Sequence, residues 1–181
     1  GLKGLTRPRT AVRGNLLGAL AMLFAVVATM LHQDIISWTG LLIAMGVGSV
    51  LGVVLALKIE MTAMPQLVAL FNGLGGGASV LVAGAWLSGK EFSEKLASGN
   101  GFMDALTATA ASGLIGAITL SGSLVAFGKL QELKFVKDIS FPGQRILNLL
   151  LALGSIGVGY LMVVQPENAQ LWFWLLAITA T

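Results

Sequence analysis

The most regular feature of the sequence is a series of long apolar runs separated by short polar connections. A helix needs about 20 mostly apolar residues to cross a bilayer, and five runs qualify: residues 15–31, 36–57, 65–87, 104–127 and 146–164. A sixth begins near Gln170 and reaches Thr181, which is too short to cross. Because the runs are continuously apolar rather than alternating, they exclude β-barrel strands. The predicted fold class is an all-α, polytopic transmembrane helix bundle with five complete spans and a truncated sixth, and residues 1–181 are predicted to form a single transmembrane domain.

Composition agrees with a lipid environment. Hydrophobic residues make up 56% of the 181 positions, charged residues make up 10%, and the mean hydropathy is +0.88. Soluble domains commonly carry about a quarter charged residues, so lipid must cover much of this surface. The absence of Cys excludes disulfides, thiolate nucleophiles and Cys-ligated metal centres, and the single His argues against a transition-metal site.

The basic residues fall unevenly on the two sides of the predicted bundle. If the N-terminal end lies inside, nine of the eleven Lys and Arg residues lie on that side, and only Lys90 and Lys95 lie outside. This is the positive-inside bias of a membrane protein whose N-terminal end is cytoplasmic. The pI near 9.5 therefore reflects orientation and predicts no nucleic-acid partner. The basic loop from Lys129 to Arg145 fits either orientation charge or the docking of a soluble domain.

Small residues recur four positions apart within the spans. The pairs are Gly14/Gly18, Gly48/Gly52, Gly73/Gly77, Ser112/Gly116 and Ser155/Gly159. Such pairs let helix backbones approach closely in lipid, where no hydrophobic effect drives helices together. They predict tight packing, either within this chain or within a larger assembly.

Uncharged side chains supply the polar chemistry of the third span. The five spans hold no ionisable residue in their interiors, and His32 lies at the end of the first. Asn72 and Ser79 are seven residues apart and share a helix face, with the glycine-rich run from Gly73 to Gly77 between them. An unsatisfied amide in hydrocarbon costs several kcal/mol. Asn72 therefore predicts either an interhelical hydrogen bond that fixes packing or a position on a water-lined path.

The fourth span carries a stripe of small and hydroxyl residues at spacings of three and four. Its members are Thr109, Ser112, Gly116, Thr119 and Ser123. The hydroxyls can bond the carbonyls four residues back, which would make the stripe a packing surface. The alternative is a row of hydroxyls facing a hydrated cavity.

Two segments resemble sequence motifs of a known family. Residues 58–72, KIEMTAMPQLVALFN, resemble the EMTxMPxLVA signature of proton-translocating NAD(P) transhydrogenases, specifically the membrane part of the β subunit. Residues 121–130, SGSLVAFGKL, are similar to the TGSxxAFGKL stretch of that family. The two motifs occur in the same order as in the family. Together with the surrounding spans, the resemblance covers essentially the whole chain.

The resemblance implies a translocating subunit of an oxidoreductase in the inner (plasma) membrane. In this family two soluble domains bind NAD(H) and NADP(H) and pass a hydride between them, while the membrane domain couples that transfer to proton movement. We therefore expect a fragment of the β subunit that binds no cofactor itself. Its run from Gly73 to Gly77 is not a dinucleotide motif, which would need a preceding strand. The implied partners are α-subunit membrane helices, the soluble NAD(H)-binding domain, the β subunit's NADP(H)-binding domain, the bilayer and a second protomer.

The resemblance also implies residue roles. Asn72 stands where many relatives carry an intramembrane His, the expected proton-relay group. Because Asn does not titrate, the protonatable group must come from elsewhere. The family includes variants that place this His on a helix of the partner α membrane subunit, and the resemblance implies that arrangement here. Ser123 matches a motif serine, and with Asn72, Ser79 and Thr119 it is expected to line the proton path. Glu60 matches the motif acid at the cytoplasmic mouth, where it would sense the NADP(H)-binding domain.

Two other functional classes stay open on the residues alone. A secondary transporter would place its substrate site at interrupted helices near the midplane, although no internal repeat relates the two halves of this sequence. A structural membrane scaffold would leave the polar stripe as packing.

Overall fold

The computed structural model describes residues 8–31, 38–134, 136 and 141–181, and all regular structure in these ranges is helical. The α-helices are α1 (Pro8–Leu31), α2 (Trp38–Lys58), α3 (Met64–Leu87), α4 (Lys90–Ser98), α5 (Phe102–Leu130), α6 (Gln144–Val164) and α7 (Ala169–Thr179). Short 3-10 turns precede α3 at Met61–Ala63 and α7 at Pro166–Asn168.

Five helices, α1, α2, α3, α5 and α6, are long and apolar enough to cross a membrane. They confirm the predicted polytopic helix bundle and match the five predicted spans, although α1 begins earlier, at Pro8. The truncated sixth run forms α7, which has 11 residues. Helix α4 lies in a stretch predicted only as a loop. His32 and the predicted start of the second span at residue 36 lie outside the described residues.

The chain divides into two units, residues 1–58 and 59–181. That they form one domain stays a prediction. In the first unit, α2 has no buried residue, and its Leu57 side chain is 81% exposed. No described residue lies within 4 Å of a Cβ added to Gly48 or Gly52, so the packing predicted for that pair also stays a prediction. A helix that is apolar all round needs lipid or other helices around it.

In the second unit, α3 and α5 pack antiparallel, and glycines set how closely they approach. A Cβ added to Gly76 would lie 2.6 Å from the carbonyl oxygen of Gly116 and 2.8 Å from the Cβ of Thr119. One added to Gly116 would lie 2.7 Å from the carbonyl oxygen of Gly76. Real side chains do not tolerate such distances, so the two backbones meet at Gly76 and Gly116. Of the predicted small pairs Gly73/Gly77 and Ser112/Gly116, the three glycines lie against the facing helix, but the closest point of the interface is Gly76.

Helices α6 and α7 complete the core of the second unit. The largest fully buried side chains in the described part of the chain are Phe173, Leu106, Met162 and Leu176. Phe173 fills the space above Gly113, where an added Cβ would lie 2.5 Å from the ring. The Gln170 amide donates to the Leu87 carbonyl at 3.2 Å, which satisfies one of the free carbonyls at the end of α3. Although α7 is short, its packing is therefore that of a core element.

The end of α5 is a tight left-handed cap. Leu133 N–H donates to the Gly128 carbonyl at 3.0 Å, and Glu132 N–H donates to the Lys129 carbonyl at 3.0 Å. Glu132 has φ 53°, so these bonds form a Schellman motif with a non-glycine residue at its left-handed position. The returning chain places Val136 over Gly128, where an added Cβ would lie 2.7 Å from the valine. Gly128, the glycine of the AFGKL motif, is thus needed for the chain to pass this close to α5 after the cap.

Candidate functional site

A hydrogen bond between side chains joins α3 and α5, the two helices that carry the family-like motifs. Asn72 Nδ2 on α3 donates to Ser123 Oγ on α5 at 2.8 Å. Ser123 is buried, with 8% of its surface exposed. The approach depends on Gly73, because a Cβ there would lie 3.1 Å from the Ser123 Cβ. This is the interhelical bond that one of the two interpretations of Asn72 requires. It uses only the NH₂ group, so the amide oxygen of Asn72 can accept from a second partner.

Beside this bond, a furrow runs along one side of the α3–α5 pair. It consists of two adjoining grooves of about 430 Å³ and 510 Å³ that share Ser79 and Ser112. The furrow extends from Phe71 at one end to Trp86 at the other, and its amide and hydroxyl lining is Asn72, Ser79, Thr109, Ser112 and Thr119. The lining contains no Asp, Glu, Lys, Arg or His. A proton that moves through it needs water or a titratable group from outside the lining.

Three hydroxyls of the furrow bond their own helix. Ser79 Oγ donates to the Gly75 carbonyl at 3.1 Å, Thr119 Oγ1 to that of Ile115 at 2.6 Å, and Thr109 Oγ1 to that of Ala105 at 2.8 Å. These are the bonds to the preceding turn that a packing stripe would make. Each hydroxyl still has lone pairs to accept hydrogen bonds. The furrow therefore presents acceptors to whatever enters it.

The structure brings four of the five predicted site residues together. Asn72, Ser79 and Thr119 line the furrow, and Ser123 is bonded to Asn72. Glu60 is exposed in the connection before α3, where Thr62 Oγ1 donates to its carboxylate at 3.4 Å. Within the described part of the chain, no hydrogen bond links Glu60 to the furrow. The proposed roles of all five remain predictions.

Gln66 makes a second cross-link that the sequence did not indicate. Its Nε2 donates at 3.1 Å to the carbonyl of Leu130, the last residue of α5. Because a carbonyl faces this atom, it must be the NH₂ group, and the amide oxygen points the other way. That oxygen is buried without a partner among the described residues. Gln66 lies inside the first motif, residues 58–72, but nothing in the sequence around it indicates this contact.

The glycine run of α3 does not fit a nucleotide. Residues 73–77 stay within the continuous helix Met64–Leu87, and the space above Gly76 is filled by α5. A dinucleotide motif instead needs a loop between a strand and a helix. In the described ranges, no cluster of three or more His, Asp or Glu residues is placed to hold a metal ion. The chemistry available here is therefore hydrogen bonding by neutral groups.

Comparison with known protein families and comparison with individual proteins indicate the same family. Over residues 1–181 the chain matches the family described as NAD(P) transhydrogenase beta subunit. Two proteins from Rhodospirillum rubrum, both named NAD(P) transhydrogenase subunit beta, are each 39% identical to it over 143 residues. That match covers 79% of this chain and 31% of each relative. The chain thus spans about a third of the length of the curated relatives that it matches.

Proposed function

The chain belongs to the NAD(P) transhydrogenase beta subunit family, and from that premise we propose that it forms part of the proton path of the complex. The whole enzyme would transfer a hydride from NADH to NADP⁺ on soluble domains outside this chain. The chain is a multi-pass membrane protein, and its share of the work would be proton movement coupled to that transfer. The observation that carries the proposal is the uncharged polar furrow beside the Asn72–Ser123 bond.

The chemistry of the furrow supports a path that depends on a neighbour. Asn72 does not titrate, but its amide can donate through Nδ2 and accept through Oδ1 at once. Ser123 can accept from Asn72 and still donate its own proton. Such groups orient water or a neighbouring acid–base group without carrying the charge themselves. We propose that the group that titrates is a His on an α-subunit membrane helix lying against the furrow.

The charges of the connections support an orientation for this path. Lys58, Lys129, Lys134 and Arg145 lie in or beside connections that the sequence predicts to share the side with most of the basic residues, which we propose to be cytoplasmic. The soluble NAD(H)- and NADP(H)-binding domains would dock on that side. Glu60, exposed between α2 and α3, would contact the NADP(H)-binding domain there. Two complete protomers would form the working assembly in the inner membrane.

Sealed vesicles that contain the complete complex test this proposal. The reaction is run in reverse by adding NADPH and an oxidised NAD analogue. A pH indicator reports proton movement, and absorbance reports hydride transfer. We expect a pH change that an uncoupler collapses, together with faster hydride transfer once the uncoupler is present. Hydride transfer in tight vesicles without a pH change would overturn the coupling.

A pair of serine variants locates the path within that assay. Ser123→Ala removes the partner of Asn72, whereas Ser121→Ala removes a hydroxyl that bonds its own helix at Ala117, 3.1 Å away. We expect Ser123→Ala to lower coupled proton movement several-fold and Ser121→Ala to leave it close to that of the unaltered complex. Equal activity of both variants would remove Ser123 from the path.

A further inference from the structure

Helix α4 (Lys90–Ser98) has one apolar and one polar side. Phe92 and Leu96 lie four residues apart and share a face. Lys90, Glu91 and Glu94 lie on the opposite side of the same helix. A short amphipathic helix between two spans has to cover its apolar side with protein or with lipid.

Aromatic contacts fix which way the apolar side of α4 faces. The Phe92 ring meets Trp86 edge to face, with centroids 5.5 Å apart and an interplanar angle of 84°. It also packs on Phe102 at 5.7 Å. Trp86 lies in the last turn of α3, and Phe102 is the first residue of α5. The apolar side of α4 is therefore turned toward the ends of the two spans.

Leu96 projects from this same side but is only partly covered. The side chain is 43% exposed, although its neighbour Phe92 is held between the spans. Exposed apolar side chains are also present in the last two turns of α3 and the first turn of α5: Leu81 at 67% and Met103 at 52%. In membrane spans such side chains lie against acyl chains, and Leu96 is an exposed apolar side chain at the same end of the pair.

The charges of α4 favour a bilayer surface over a charged partner. Lys90 and Lys95 balance Glu91 and Glu94, so the helix offers no net charge to an acidic or basic protein. Lys95 Nζ pairs with Glu91 Oε1 at 3.3 Å, which draws its ammonium group toward the polar side. This is how a lysine is arranged at a membrane interface.

Glycines let the chain turn at each end of α4. Gly89 is extended before its first turn. Gly99 and Gly101 follow its last turn in left-handed conformations, with φ of 71° and 62°. Nine residues of helix span about 13 Å, and both connections to the spans are short.

We propose that α4 lies in the headgroup region of the bilayer at this end of the α3–α5 pair. Leu96 inserts among the acyl chains, and Glu91 and Glu94 remain in water. The helix thereby holds the pair, and the furrow that it carries, at a fixed depth. Interfacial binding of this kind scales with the apolar area that is buried.

Spin-label accessibility in the complete complex tests this. The chain has no Cys, so Leu96→Cys and Glu94→Cys can be labelled singly once the partner subunits are free of reactive thiols. In phosphatidylcholine vesicles, collisions with oxygen report lipid and collisions with a nickel chelate report water. We expect the ratio of oxygen to nickel collisions to be several-fold higher at position 96 than at position 94. Phe92→Ala, which removes the anchor to the spans, should lower the ratio at 96.

Two outcomes would overturn the proposal. Equal ratios at the two positions would mean that α4 stands in water. A label at position 96 that is shielded from both reagents would mean that another protein covers Leu96.

Discussion

The backbone of Gly76 on α3 lies against that of Gly116 on α5, so closely that a methyl group on Gly76 would lie 2.6 Å from the Gly116 carbonyl oxygen. The contact is reciprocal, since a methyl group on Gly116 would lie 2.7 Å from the Gly76 carbonyl oxygen. Backbone atoms cannot move aside as a flexible side chain can. This crossing therefore determines how near Asn72, one turn away on α3, and Ser123, two turns away on α5, come to each other.

Gly76→Ala tests the crossing. The added methyl forces the helices apart, and we expect a loss of about 1–3 kcal/mol of stability from overpacking. Gly77→Ala is the matched control, because its Cβ would meet only Leu120 at an ordinary 3.6 Å. Alanine also has the higher helix propensity, so the control should be neutral or slightly stabilising. Unfolding in detergent measures both, and equal stabilities would show that the helices do not cross here.

The Asn72–Ser123 bond predicts an energetic coupling between the two residues. Asn72→Ala, Ser123→Ala and the double variant form a cycle in which the pairwise energy is isolated. Interhelical hydrogen bonds in membranes contribute about 0.6 kcal/mol on average and up to about 1.7 kcal/mol, so we expect a coupling in that range. Detergent unfolding of the three variants measures it. Strictly additive losses would mean that the two side chains do not bond in the assembled protein.

The orientation of the Gln66 amide predicts that a methionine is better tolerated there than a glutamate. Gln66→Met loses the bond to Leu130 but also removes the unpaired buried oxygen. Gln66→Glu places an ionised oxygen against the Leu130 carbonyl, and we expect it to cost about 1–3 kcal/mol more at neutral pH. As the pH falls and the new carboxyl protonates, it can donate to that carbonyl, so the difference should shrink. A deficit for Gln66→Met as large as that for Gln66→Glu would contradict this geometry.

The sequence was sufficient for the spans because each is a long apolar run, and helix length follows directly from bilayer thickness. It also pointed to Asn72, since an amide in hydrocarbon needs a partner, and to Ser123 through the hydroxyl stripe and the family motif. It did not pair them, because pairing depends on the antiparallel register that Gly76 and Gly116 impose. Helix α4 was missed because its charges outnumber its apolar residues. The contact of Gln66 with Leu130 joins positions 64 residues apart, which no local pattern encodes.

The most direct test of the proton path is to block the furrow. Ser79→Cys places a thiol in the furrow, and Leu81→Cys places one on the same helix but outside it, at a side chain that is 67% exposed. Each variant of the complete complex is labelled in sealed vesicles with a small methylthio group or a bulky maleimide, and the extent of labelling is measured. We expect the bulky label at position 79 to abolish uncoupler-sensitive proton movement, while the small label there and either label at position 81 preserve most of it. Full proton movement in a quantitatively maleimide-labelled Ser79→Cys complex would show that protons do not use this furrow.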